Sequence, residues 1–271
     1  MKSTQIKNPP QALILAAGFG TRLRPFTNHY PKPMVPILDI PLILYTLTAL
    51  KQIGIKDIII NLHHQGNKLK KFLGNGAALG LNIVYSNESK ILGTGGGIKK
   101  VLRYVKDDLL IVNGDIVFDL PLKDLIALHH EGDFLATLGL YNHPRKKDFG
   151  LLRHKNKQLT AILGEPEQRP SDSSAMFSGI HLVNKASIQK LMRDFPANEF
   201  FCIVRQIYQP ALAQKMALGA LELQGYWDVC DRLEDVRRVE KTWIKTPGTL
   251  PHQKATQTLA KKLKIPEFTI C

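Results

Sequence analysis

The sequence predicts an α/β protein with a largely parallel sheet flanked by helices and a small inserted β element. Three observations predict it. Short apolar runs alternate with segments of helical periodicity through the first half of the chain. Glycines close several of those segments, as caps and tight turns do. Past Asp148 the alternation gives way to two short strands around a polar turn, the texture of an antiparallel hairpin.

The elements follow in order. QALILAAG is a short apolar run ending in glycine, a buried strand feeding a tight turn. PLILYTLTALKQIG, at 41–54, carries apolar residues at helical spacing and ends on a glycine cap. IKDIIINLHH, with its three successive isoleucines, is a second buried strand. KLKKFLG (helix), LNIVYS (strand), GGIKKVLRYV (helix), DLLIVNGD (strand), PLKDLIALHHEG (helix) and FLATLGLY (strand) continue the alternation. Such spacing implies right-handed βαβ crossovers, and ligands then bind at the carboxyl ends of the strands. DFGLLRHKNKQLTAIL forms the hairpin, AMFSGIHLVN a further strand, and helical patterns lie near 185–193 and 202–217. No linker interrupts the chain, so one domain is expected over 11–242, with a basic, proline-interrupted tail over 243–271 that holds one helix.

Composition narrows the function. Hydrophobic residues at 44% and charged residues at 22% suit a soluble globular protein. No apolar run reaches the roughly 18 residues of a membrane helix, and the opening residues lack a secretion signal's apolar core, so a cytoplasmic protein with no membrane partner is expected. Lysine and arginine exceed aspartate and glutamate by 37 − 23 = 14. Such a charge can attract nucleic acid, acidic lipid or small anionic substrates, but the basic residues fall in short clusters without an aromatic-interleaved stripe, which argues against a nucleic-acid partner and for a solvated basic surface. Cys202, Cys230 and Cys271 lie far apart with no CxxC pair, against a zinc site or a disulfide framework. The pairs His63–His64 and His129–His130 are expected to serve as caps or surface groups.

The stretch LAAGFGTRLRPFTNHYPKP, Leu15 to Pro33, sets small residues before two arginines and then a lysine between prolines. Glycine lets a backbone approach a ligand closely, and arginine and lysine bind phosphate oxygens, so the turn suits a polyphosphate. It is neither of the commonest phosphate motifs: Leu23 stands where GxGxxG needs a third glycine, and no GK[ST] ends it.

LAAGFGTRLRPFTNHYPKPMVPI, at 15–37, resembles the signature of the sugar-1-phosphate nucleotidyltransferases, the nucleotide-sugar pyrophosphorylases. LGTGGGIKKV at 92–101, LLIVNGDIVFD at 109–119, MFSGIHLVN at 176–184 and GYWDV at 225–229 are similar to that family's later segments, in the same order. The resemblance implies a Rossmann-like mixed, mostly parallel sheet, the nucleotide-diphospho-sugar transferase fold. It implies transfer of a nucleotidyl group from UTP or GTP to a sugar 1-phosphate, with pyrophosphate leaving and Mg2+ as cofactor. On the same ground Arg22 and Lys32 are the catalytic cations. Gly18, Gly20, Thr21, Arg22, Lys32, Thr94 and Asn113 are expected to bind nucleotide, and Gly150, Glu165, Ser178 and Gly179 sugar. Asp115 and Asp228 are expected to hold the metal. An ionised phosphate needs no side chain to deprotonate it, so cations rather than a general base are what the chemistry asks for.

Two departures stand out. The family usually reads DVGT where this chain has DVCD, placing Cys230 and Asp231 there. Many members carry a Glu-Lys-Pro, and LGEPEQ puts Glu165 in the lysine's place. Relatives acting on N-acetylmuramate 1-phosphate also lack that lysine but have glutamate at Gly93, whereas LGTGGG is closer to the mannose-1-phosphate guanylyltransferases.

Overall fold

The opening apolar run becomes the strand Gln11–Leu15, which pairs in parallel with Asp57–Leu62, and that strand pairs in parallel with Asn82–Asn87. The computed structural model describes residue 6 and residues 8–164, 172–246, 248–249 and 252–268. These divide into two compact units that interleave along the sequence, the first made of residues 1–91, 113–120 and 225–271 and the second of 92–112 and 121–224.

The first unit holds this parallel ladder. Ile58, Ile59 and Ile60 are all buried, as an isoleucine run in a strand covered on both faces should be. The crossover helix Leu42–Gln52 is buried at every residue from Leu42 to Leu50, each large apolar side chain contributing about 1.5–3 kcal/mol. A separate antiparallel ribbon pairs Ile116–Asp119 with Tyr226–Val229, setting Asp228 opposite Val117. The helix Leu233–Lys245 buries Val236, Val239 and Trp243, which recur at helical spacing. The Trp243 ring lies 5.3 Å from that of Tyr45. The helix Gln253–Ala260 buries Thr256 and Leu259 against Leu42–Gln52. Residues after 242 therefore supply core to this unit.

The second unit carries a mixed sheet in the order Leu109–Asn113, Ser173–Val183, Ala136–Tyr141, Leu218–Glu222, Gln158–Ile162, Leu151–Lys155. The last strand also pairs with Ser173–Val183, so the ladder closes on itself. Among the described residues of this unit, Leu218–Glu222 pairs in parallel with Ala136–Tyr141 and the other pairings are antiparallel. The fold is α/β with a mixed sheet, but parallel pairing is concentrated in the first unit. An apolar run reads the same whichever way its neighbour runs, and only the connection decides. The expected hairpin is present, its two-residue turn formed by Asn156 and Lys157 at φ 51° and 61°.

His181 lies in the core of the second unit, its Nδ1 3.0 Å from the Tyr208 hydroxyl. Burial pushes its pKa from 6.5 down to about 3. The unfolded chain therefore takes up a proton that the fold excludes between those two values. Stability should be intact above pH 6.5 and fall on acidification toward pH 3, by at most about 1.4 kcal/mol per pH unit. A His181→Gln variant is expected to lose less melting temperature than the wild type between pH 7 and pH 5; equal losses would remove the assignment.

Candidate active site

The glycine loop begins where the strand Gln11–Leu15 ends. The Ala16 amide donates to Asn61 Oδ1 at 2.6 Å, and Asn61 Nδ2 donates to Glu88 Oε1 at 2.8 Å. Both side chains are buried, so the neighbouring strands clamp the root of the loop through a polar pair. Gly20 sits at φ 62°, and a Cβ there would lie 2.9 Å from Thr27 Cγ2 and 3.0 Å from Lys32 Cβ. Only glycine fits that left-handed, crowded position. Its carbonyl accepts from the Thr27 hydroxyl at 2.8 Å and from the Leu23 amide at 2.9 Å. Leu23 is fully buried and anchors the short turn Thr21–Leu23, leaving Thr21 and Arg22 exposed. Gly18 is exposed too, and a Cβ there would meet nothing within 4 Å.

Lys32 opens the short turn Lys32–Met34, whose Pro33 and Met34 are buried. Its ammonium donates to Asp115 Oδ2 at 2.8 Å and to Asp231 Oδ1 at 2.6 Å. Arg22 Nη1 donates to the other Asp231 oxygen. The loop's two cations and the carboxylates of Asp115 and Asp231 thus form one cluster. The Lys32 side chain is 12% exposed and that of Arg22 63%, so the lysine carries more of the electrostatic effect. Burial works to lower the Lys32 pKa, but Asp115 and then Asp231 outweigh it and raise the value. Burial likewise works to raise that of Asp231, and Lys32 and Arg22 together hold it below the usual carboxylate range.

Asp115 follows Gly114, whose amide donates to the Leu15 carbonyl at 2.9 Å and whose Cβ, if present, would stand 2.6 Å from the same oxygen. The Asn-Gly-Asp turn therefore lies directly against the end of the first strand. Asn113, half-buried, closes the preceding strand. The Asp115 carbonyl accepts from the Cys230 amide at 2.8 Å, extending the ribbon by one residue and bringing Asp231 to Lys32. Cys230 is buried, and burial followed by Asp228, Asp115 and Asp235 pushes its thiol up, so it is a neutral packing group.

Asp228 belongs to the same ribbon but has a different partner. Arg238 reaches it with both terminal nitrogens, at 2.9 Å to each carboxylate oxygen, and also holds Asp235 at 2.8 Å. Asp115 and Asp228 carry hard, ionised oxygen donors of the kind magnesium takes. Each carboxylate is neutralised by a protein cation, Lys32 for one and Arg238 for the other. The donor chemistry fits the metal, and both Asp228 oxygens are held by Arg238. Among the described residues no group of three or more His, Cys, Asp or Glu side chains is arranged around a common point.

The remaining predicted residues belong to the second unit. Thr94 Oγ1 accepts from the Ile203 amide at 3.0 Å. Its neighbours pack closely against residues 199–201: a Cβ on Gly95 would meet the Phe201 ring at 2.3 Å, and one on Gly96 the Glu199 carbonyl at 2.4 Å. Gly93, at φ 69°, would drive a Cβ to 2.6 Å from the Phe201 carbonyl, so glutamate does not fit there. Ser178 donates to the Gly139 carbonyl at 2.6 Å. With Gly179, at φ 79°, it forms the bulge that shifts the register of Ser173–Val183. Gly150 sits at φ 83° beside Leu163, and Glu165 lies outside the described residues.

The histidines of the first pair reach backbone carbonyls, His63 that of Glu88 at 2.9 Å and His64 that of Thr27 at 2.7 Å. Asn61, Thr27 and Arg238 are the residues sequence reasoning misses. The one visible signal is an asparagine interrupting the apolar run DIIINL.

Residues 11–236 match the nucleotidyl transferase family. The mannose-1-phosphate guanylyltransferase catalytic subunit beta of Drosophila pseudoobscura pseudoobscura is 27% identical over 230 residues, 83% of this chain and 60% of that protein. A UTP–glucose-1-phosphate uridylyltransferase of Synechocystis is 26% identical over 258 residues, 90% of this chain and 64% of that one. The chain thus spans less than two thirds of the length of either. HddC from Yersinia pseudotuberculosis, crystallised with GMP-PN, has the same fold, with a TM-score of 0.69 at 22% identity over 87% of this chain and 100% of the other. No described helix is long and apolar enough to cross a membrane.

Proposed function

Since the chain belongs to the nucleotidyl transferase family, we propose that it transfers a nucleotidyl group from a nucleoside triphosphate to a sugar 1-phosphate, releasing pyrophosphate. One observation carries the reading: Lys32 and Arg22, at the end of a glycine loop, meet Asp115 and Asp231 in a single cluster. Bringing one anion onto another is the main barrier to this reaction, and fixed cations lower it. A cation about 5 Å from a phosphate oxygen contributes on the order of 3 kcal/mol at an effective dielectric near 20. Lys32 is held rigidly enough to act this way, and exposed Arg22 can swing to the departing pyrophosphate. Gly18 has no packing reason to be glycine, which is consistent with close approach of a ligand to its amide. Thr21 and Asn113 are assigned to nucleotide binding, and so, on the resemblance alone, is Thr94. Gly150 and Glu165 serve the sugar, whereas Ser178 is fully buried with its hydroxyl on the Gly139 carbonyl and, with buried Gly179, shapes the strand rather than meeting a ligand. Asp115 and Asp228 would hold magnesium, which when bound supplies charge neutralisation to the phosphates.

GTP with a mannose-type 1-phosphate is favoured over UTP with N-acetylmuramate 1-phosphate by the left-handed, crowded position 93, which takes glycine rather than glutamate, and by the guanylyltransferase relative. Pyrophosphate release, measured with four triphosphates against a panel of sugar 1-phosphates, is expected only when both substrates and Mg2+ are present, and most strongly with GTP. Silence across the whole panel would overturn the reading. A second reading, a nucleotide-binding protein that does not turn over, is favoured by the carboxylates already seated on Arg22 and Lys32. Release with any pair of substrates excludes it.

A further inference from the structure

Both oxygens of the Asp231 carboxylate are taken, one by Lys32 at 2.6 Å and the other by Arg22. This bridging of a lysine and an arginine by one anion is the arrangement two phosphate oxygens would adopt between the same cations. The carboxylate does not arrive there on a loose segment. Cys230, one residue earlier, is buried and hydrogen-bonded through its amide to Asp115. Arg232, one residue later, donates its amide to Asp235 at 3.1 Å and starts the helix Leu233–Lys245. Asp231 is therefore the single residue between two pinned neighbours, presented to the cations from both sides.

On the reading of Arg22 and Lys32 as phosphate-binding cations, we infer that Asp231 is a built-in anion occupying the triphosphate subsite of the ligand-free protein, and that a polyphosphate must displace it to bind. Asp231 sets the affinity for nucleotide by competition. Asp231 places its negative charge on both cations, Lys32 through one oxygen and Arg22 through the other, so a polyphosphate meets their full charge only once the carboxylate moves away. The side chain is 26% exposed, so it can turn outward to water on release.

The test is calorimetric titration of the full chain with inorganic pyrophosphate in EDTA, using wild type, Asp231→Asn and Asp231→Thr. Both variants are expected to bind about tenfold more tightly, equivalent to about 1.4 kcal/mol. Unchanged or weaker binding in a variant that melts like the wild type would overturn the inference. Should both variants misfold, the carboxyl carbon resonance of Asp231 in the wild type decides: it is expected to move toward that of a solvated carboxylate as pyrophosphate is added, and a stationary resonance refutes displacement. In steady state the variants should lower KM for the triphosphate without raising kcat; a rise in KM counts against competition. Tighter pyrophosphate binding in a protein that transfers nucleotide to no sugar phosphate leaves this inference standing and removes the proposed function. Transfer with unaltered pyrophosphate affinity does the reverse.

Discussion

Lys32→Ala is expected to slow pyrophosphate release by about two to three orders of magnitude, the usual effect of deleting one fixed donor aimed at developing charge. The mostly buried ammonium is the group that Asp115 and Asp231 share, at 2.8 and 2.6 Å. Its removal takes one cation from both carboxylates and leaves Asp231 to Arg22. The loss should fall on kcat as well as on kcat/KM if, as in the proposed reaction, the charge acts on the leaving group in the transition state. Both carboxylates are partly exposed, 30% and 26%, so water screens their repulsion and the melting temperature should drop by no more than about 4 °C. A folded variant with wild-type turnover would take Lys32 out of the chemistry.

Gly114→Ala is the second large effect, and it acts through the backbone. The added Cβ would stand 2.6 Å from the Leu15 carbonyl oxygen, 3.3 Å from its carbon and 3.5 Å from Ala16 Cα. All three contacts are backbone atoms, so no rotamer change relieves them and the turn itself must move. Overpacking of this kind costs about 1–3 kcal/mol, or a fall in melting temperature of about 2–12 °C for a chain of this size. The displaced turn carries Asp115, so activity should fall at least tenfold, following the ~1 Å sensitivity of positioned groups. Thermal denaturation and pyrophosphate release measured on the same preparation check both. A variant that melts like the wild type would show that the turn has slack the packing does not reveal.

How far the sequence reaches can be followed residue by residue. The strands Gln11–Leu15 and Asp57–Leu62 and the helix Leu42–Gln52 are legible because their apolar runs and glycine punctuation are local. Leu218–Glu222 and Tyr226–Val229 are not: they are short, and their pairing partners lie far away in sequence. The helix Leu233–Lys245 hides behind its charges, its apolar stripe reduced to Val236, Val239 and Trp243. In the site, Arg22, Lys32 and Asp115 stand out by type and position. The partnership of Asp231 with the two cations does not, since nothing in DVCD says which neighbour the second carboxylate will face until Cys230 is seen locked to Asp115. Asp228, the more obvious acid by resemblance, turns out to be claimed by Arg238, ten residues along the chain.

The interleaving of the first unit bears on how the protein is made. Lys32 and Asp231 are 199 positions apart, so at about 5–20 residues per second the lysine waits roughly 10–40 s on the ribosome before its second counter-ion is synthesised. Until then Asp115 alone, 83 positions after Lys32, faces the lysine, Arg22 waits for its carboxylate partner, and the three-stranded ladder stands without the helix Leu233–Lys245.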